Sequence, residues 1–211
     1  MLKPLPRLYV IRHGETEWSL SGRHTGKNDL PLTEHGAAMA RRLRAYLVDT
    51  PFALVLTSPL LRARDTCTLA GLGEHAQIST DLSEWDYGDY EGRSSAEICK
   101  EVPDWDLFRD GSPNGETPSQ VAARADRLIG GLLAIAGNVA LFSHGQFGCA
   151  LAARWIGLAI ANGRHFAFDP AAVSVLGPKS GHSQVPVIER WNAALAQSDI
   201  GLGVGDAHVG S

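Results

Sequence analysis

The chain has 211 residues, 44% hydrophobic and 20% charged, with 19 Lys and Arg against 23 Asp and Glu for a formal net charge of -4. This balance excludes a disordered segment and a general binder of nucleic acid or anionic membrane, and the length suits one α/β domain with a sizeable core. Three cysteines, Cys67, Cys99 and Cys149, are odd in number and lack CxxC spacing, so they read as reduced thiols rather than a disulfide frame or a zinc site.

Residues 1–12, MLKPLPRLYVIR, hold two prolines and no sustained apolar segment, which predicts no secretory signal. No stretch approaches transmembrane length, so the chain reads as a cytoplasmic protein outside the membrane. The first element is a strand, LYVI at 8–11, which runs straight into Arg12, His13 and Gly14. Residues 30–49 follow as a helix with Ala40, Leu43 and Leu47 on one stripe and Thr33 as N-cap. A second strand, FALVLT, occupies 52–57. Residues 58–73 predict a helix with Ser58 as N-cap, Pro59 at the first helical position and Gly71 or Gly73 as the stop.

A short strand containing Ile78 leads into residues 81–116, rich in aromatics, acids, Gly and Pro. This stretch reads as a long excursion with one short helix near 95–100, of the kind that serves as a lid or substrate loop. Thr117, Pro118 and Gln120 open a further helix as a capping box, with Val121, Ala125, Leu128 and Leu132 at helical spacing. The third strand is NVALFS at 138–143, ending on His144 and Gly145, and GQFGCALAARWIGL after it predicts another helix. The strands are apolar at consecutive positions, as strands covered on both faces are. Strand and helix alternate, which predicts a three-layer α/β/α sandwich around a mostly parallel central sheet. The domain spans the chain, with its core at about 7–191 and a flexible, Gly-rich tail over 192–211.

In a parallel sheet the carboxyl ends of the strands share one edge, and ligands bind in the crevice there. His13 and His144 should both face that crevice, with Ser58 delivered to the same edge and Arg62 one helical turn further on. Two arginines with two histidines suit a phosphoryl group, since guanidinium forks match its oxygens and stay charged at working pH. Like charge from Arg12 and Arg62 disfavours the imidazolium form of His13, leaving a neutral nitrogen as nucleophile. Glu84, among Trp85 and Tyr87, is the candidate acid for the leaving oxygen and the later base for water, with Asp86, Asp89 and Glu91 as rivals on the same loop. His13, His24 and His35 recur every eleven residues, but on a strand end, a loop and a helix start, so no metal site is read.

The blocks RHGETEW, GRHTGKNDLPLTEHG, SPLLRARDT, EWDYGDYEG and SHG, in this order, resemble the histidine phosphatase, or phosphoglycerate mutase-like, superfamily. The resemblance implies a phosphoglycerate mutase-like fold and metal-independent, cofactor-free phosphoryl transfer through a phosphohistidine. It makes His13 the phosphorylated residue, Arg12, Arg62 and His144 the holders of the phosphoryl oxygens, and Glu84 the proton donor. It further implies Thr16 and Ser19 as supporting groups of the phosphate pocket, with Ser58 and Tyr87 near a small phosphorylated metabolite, a sugar or glycolytic phosphate.

Within that superfamily the chain is most similar to the sugar-phosphate phosphatase branch that includes sedoheptulose-1,7-bisphosphatase. The mutase branch usually has Asn where Ser19 stands and an adjacent arginine pair, which residues 84–116 lack. Hydrolysis is therefore expected, with a phosphoglycerate mutase or a non-catalytic phosphate-binding regulator as alternatives. Relatives commonly read SHGHxLR after the last strand; here Gln146 and Cys149 occupy the matching positions, so a second substrate phosphate loses its arginine and a smaller or monophosphorylated substrate fits.

Overall fold

The computed structural model describes residues 3–194. In chain order the elements are β1 (Arg7–Arg12), α1 (Glu17–Leu20), α2 (Glu34–Leu47), β2 (Phe52–Thr57), α3 (Leu61–Leu69), β3 (Ala76–Ile78), α4 (Ser95–Glu101), α5 (Leu107–Asp110), α6 (Pro118–Leu132), β4 (Asn138–Ser143), α7 (Gly145–Trp155), β5 (Val173–Lys179) and β6 (His182–Ala193), joined in places by short 3-10 turns. The six strands form one sheet in the order β3-β2-β4-β1-β5-β6. The first four strands of that order are mutually parallel, while β5 and β6 are antiparallel to their neighbours.

Period-2 alternation along the central strands splits their side chains between two cores. Leu8, Val10, Leu56, Val139 and Leu141 pack with α6 and α7 on one face. Ile11, Val55, Ala140 and Phe142 pack with Leu43 and Leu47 of α2 and Cys67 of α3 on the other. Strands buried on both faces explain the unbroken apolar runs of the sequence, and the mixed, mostly parallel sheet between helical layers is the expected α/β/α sandwich.

Local details add to or change these expectations. The antiparallel β5–β6 pair adds a flank that the apolar runs do not announce. The helix after β2 starts at Leu61 with Leu60 in the N-cap position, so neither Ser58 nor Pro59 opens it. The 81–116 excursion packs as a wall, with Trp85, Tyr87, Tyr90, Ile98, Trp105 and Phe108 all buried in the larger core. β6 runs to Ala193, two residues into the expected tail, and residues 195–211 of that tail lie outside the described residues.

Candidate active site

Register brings the site together. Arg12 at the end of β1 pairs with Ser143 at the end of β4, and the His13 N–H donates to the Ser143 carbonyl at 2.9 Å. The residues that follow, His13 and His144, therefore leave adjacent strands side by side, with ring centroids 5.2 Å apart. The Ser58 N–H donates to the Phe142 carbonyl at 2.9 Å, so the end of β2 joins the same edge.

His13 is 4% exposed, and its Nδ1 lies 2.7 Å from the Gly14 carbonyl oxygen. A carbonyl only accepts, so Nδ1 carries the proton and Nε2 keeps its lone pair. Burial first, then the charges of Arg12 and Arg62, hold the His13 pKa well below its ordinary value, and the ring is neutral near pH 7. The turn is pinned by the Gly14 N–H, which donates to Thr66 Oγ1 at 2.9 Å.

Arg12 donates from Nη1 to the Phe168 carbonyl, while its Nε is buried with no partner among the described residues. The guanidinium rests against Gly145, where a Cβ would come within 3.2 Å of Cζ and Nε and press on it. A buried cationic N–H without an acceptor is costly and marks a place for an anion.

Arg62 and His144 are both fully buried behind His13. Arg62 Nε donates to His144 Nδ1 at 3.2 Å, so His144 carries its proton on Nε2 and donates it to Ser58 Oγ at 2.7 Å. Burial, then Arg62, holds the His144 pKa well below the usual value. Three further Arg62 N–H groups reach the carbonyls of Asn28 (2.9 Å), Thr25 (2.9 Å) and Gly26 (3.0 Å). The Glu91 carboxylate grips the same loop from its amide side, accepting from Gly26 N at 2.8 Å and Asn28 N at 3.1 Å. Ser58, expected to cap a helix, instead receives His144, although Leu60 N still reaches its hydroxyl at 3.3 Å.

Glu84, 8% exposed, reaches the N-terminus of α7. Its Oε1 accepts from Phe147 N (2.8 Å) and Trp85 N (2.9 Å), and its Oε2 from Gln146 N (3.0 Å). The N-cap residue His144 makes no capping bond with its side chain, so Glu84 fills that need and is fixed by it. Oε2 has one partner and is the oxygen with capacity left for a proton. The rival acids are engaged elsewhere: Asp86 with Lys27 (2.5 Å), Asp89 with Asn114 (2.9 Å), and Glu91 on the loop amides.

Arg12, His13 and Glu84 line one cavity of about 300 Å³ together with Ser19 and Tyr87. Burial, then Glu84, holds the Tyr87 pKa well above its ordinary value, so its hydroxyl stays a donor. Thr16 is buried beneath, its Oγ1 accepting from Ser19 N at 3.2 Å while Ser19 Oγ accepts from Thr16 N at 2.8 Å. Arg23 and Ser95 form the exposed rim, beside His24, whose ring stacks on Tyr87 at 4.5 Å and whose pKa burial pulls down to about 4. The wall opposite is Phe166, Phe168 and Cys149, whose thiol burial pushes up to about 12. No cluster of three or more His, Cys, Asp or Glu placed to hold a metal occurs among the described residues.

Sequence reasoning missed the grip of Glu91 on the 25–28 loop and the buried Arg124. The second had a signal: position 124 falls on the stripe of Val121, Ala125 and Leu128, and a cation on an apolar face needs a reason.

A profile of the histidine phosphatase superfamily (branch 1) matches residues 8–194. An acid phosphatase of Mycobacterium tuberculosis is 40% identical over 190 residues, covering 86% of this chain and 91% of that protein. Sedoheptulose 1,7-bisphosphatase of Saccharomyces cerevisiae is 36% identical over 188 residues, covering 74% of this chain and 69% of that one. The solved structure of an open reading frame product of Mycobacterium tuberculosis superposes with a TM-score of 0.82 at 35% identity, covering 90% of this chain and 98% of the other.

Proposed function

The chain belongs to the histidine phosphatase superfamily and is a phosphomonoester hydrolase, and from that premise we propose that it releases phosphate from small phosphorylated metabolites by way of a phosphohistidine at His13. The observation that carries this reading is the pairing of a neutral His13, its Nε2 left free by the bond to Gly14, with Arg12, which lines the same cavity and whose Nε lacks an acceptor among the described residues. A phosphoryl group supplies both the electrophile for the first and the acceptor for the second.

In the first step the Nε2 lone pair attacks phosphorus in line, the P–N bond forms and the P–O bond to the alcohol breaks. Glu84, in its protonated form, gives its proton to the departing oxygen. In the second step the Glu84 carboxylate takes a proton from water, the hydroxide oxygen bonds to phosphorus, and the P–N electrons return to Nε2. Inorganic phosphate leaves and His13 is neutral again. Arg12 binds the phosphoryl oxygens directly. Arg62 adds its charge and its remaining N–H donor from behind His144, so removing either guanidinium costs on the order of 10²–10³ in rate.

The cavity also supports a reading of the substrate. Beyond His13 and Glu84 the inner wall holds a neutral His24, a protonated thiol at Cys149, Gln146 and two phenylalanines, with Arg12 and, at the exposed rim, Arg23 as the lining cations among the described residues. A second phosphate against Cys149 would lose water without gaining a counter-charge, which favours monophosphates of uncharged alcohols such as sugars. We take residues 7–191 as one catalytic domain. Its three free thiols suit the reducing cytoplasm.

The test is phosphate release from a panel of sugar phosphates and 3-phosphoglycerate, with rapid acid-free quench to trap acid-labile phosphate on the enzyme. Stoichiometric inorganic phosphate and a label on His13 are expected, and His13→Ala should lose both while still folding. Isomerised phosphoglycerate without free phosphate would mean a mutase; full turnover by His13→Ala would end the phosphohistidine reading.

A further inference from the structure

Arg124 lies on α6, 8% exposed, and all five of its N–H donors are engaged. Nε and Nη2 form a fork on Glu116 at 3.0 and 2.8 Å. Nη1 donates to the carbonyls of Asp81 at 3.0 Å and Ser83 at 2.6 Å, and Nη2 also reaches the carbonyl of Glu84 itself at 3.3 Å. On its flat side the guanidinium covers the Phe147 ring, 4.4 Å from the centroid, and Phe147 is the residue whose N–H holds Glu84 Oε1. Glu116 extends the brace, accepting from Asp86 N with Oε2 at 3.0 Å and from the Trp85 indole with its carbonyl at 2.9 Å.

Two separate chain segments fix the Glu84 carboxyl: the 81–86 backbone that carries it and the α7 N-terminus that receives it. One planar cation touches both. We propose that Arg124 is a positioning residue that sets the Glu84 carboxyl relative to His13, an inference that rests on Glu84 as proton donor. A buried cation costs desolvation, and a well-packed apolar side chain would fill the same volume as well or better for stability alone. What an apolar side chain cannot do is hold three carbonyls and a carboxylate at fixed angles, as the guanidinium fork does.

The consequence is selective. Proton donation to the leaving oxygen matters for esters of poor leaving groups and hardly at all for activated aryl esters, whereas water activation in the second step is common to both, so misplacing Glu84 should harm kcat/KM, which reports the first step, for the first class alone. Arg124→Lys keeps the charge but loses the fork, and Glu116→Gln loosens the brace with Arg124 still present. Each is assayed on glycerol 2-phosphate and on p-nitrophenyl phosphate, alongside Glu84→Gln. The ratio of the two kcat/KM values in one preparation does not depend on how much of the enzyme is folded. Arg124→Lys is expected to lower kcat/KM on glycerol 2-phosphate by about 10²-fold, the usual effect of an ångström-scale misplacement, with kcat/KM on the aryl ester nearly unaffected. Glu116→Gln should move the ratio the same way by less, and Arg124→Lys added to Glu84→Gln should cost little further. Equal losses on both esters in Arg124→Lys, while Glu84→Gln stays selective, would overturn the positioning role and leave the acid role standing. Equal losses in Glu84→Gln would remove both.

Discussion

Two histidines 5.2 Å apart carry their protons on opposite nitrogens, and the difference lies in what faces each Nδ1. A carbonyl faces that of His13 and demands a proton; a guanidinium faces that of His144 and forbids one. His13 thus presents a bare nitrogen to the cavity, whereas His144 spends its proton on Ser58. With its pKa held well below 6.5, His13 stays unprotonated into mildly acid solution. Nitrogen-detected NMR should show it titrating below that value in the native protein. Arg12→Gln should raise the titration point, because one repelling charge is gone, yet leave it below 6.5, because burial is the larger cause. A native His13 midpoint at or above 6.5 would refute the assignment of a neutral ring. The sequence disclosed the two arginines and hence the sign of the effect. It did not disclose the burial, which depends on residues 81–116 folding over the site.

At the scale of elements, α2 is docked by contact between backbones. A Cβ on Gly36 would lie 2.1 Å from the Glu15 carbonyl oxygen, and one on Gly14 would lie 2.5 Å from that of Gly36. The first turn of α2 therefore touches the turn that immediately follows His13. Gly36→Ala should cost about 1–3 kcal/mol of stability, as overpacking does, and should lower kcat by displacing the 13–15 turn. Urea unfolding and steady-state rates check this, and native values for both would contradict the contact. The helices opened by Thr33 and Thr117 were legible because each cap and its apolar stripe agree. The start of α3 was not, because the hydroxyl that resembles a cap is taken by His144, a partner 86 positions away. The β5–β6 hairpin was missed for a related reason: β6 is an edge strand with mixed exposure, interrupted by Pro186, and lacks the continuous apolar run that marks the central strands.

For the molecule as a whole, the two histidines lining the cavity and the buried His144 behind them link activity to acid stability. His13, His144 and His24 all have pKa values below the ordinary 6.5, the last near 4. The unfolded chain binds protons there that the folded protein refuses, so stability is fully present above about pH 6.5 and falls as pH drops toward the folded-state values. Each such histidine contributes a slope of about 1.4 kcal/mol per pH unit within that window. Calorimetry in buffers of different ionisation enthalpy should record proton uptake on unfolding between pH 6 and 5, and His24→Phe should lower it by about one proton. A melting temperature that does not change from pH 7 to pH 5 would contradict this.

β1, the first strand of the chain, lies between β4 and β5, both of which come late. On a ribosome, Arg12 and His13 emerge early, but β1 must wait for residues 138–179 before it gains its strand neighbours. A nascent chain halted before β4 lacks His144 and the cavity walls at Gln146, Cys149, Phe166 and Phe168, so the site is complete only when synthesis is nearly finished. Translation order thus keeps an unfinished enzyme silent.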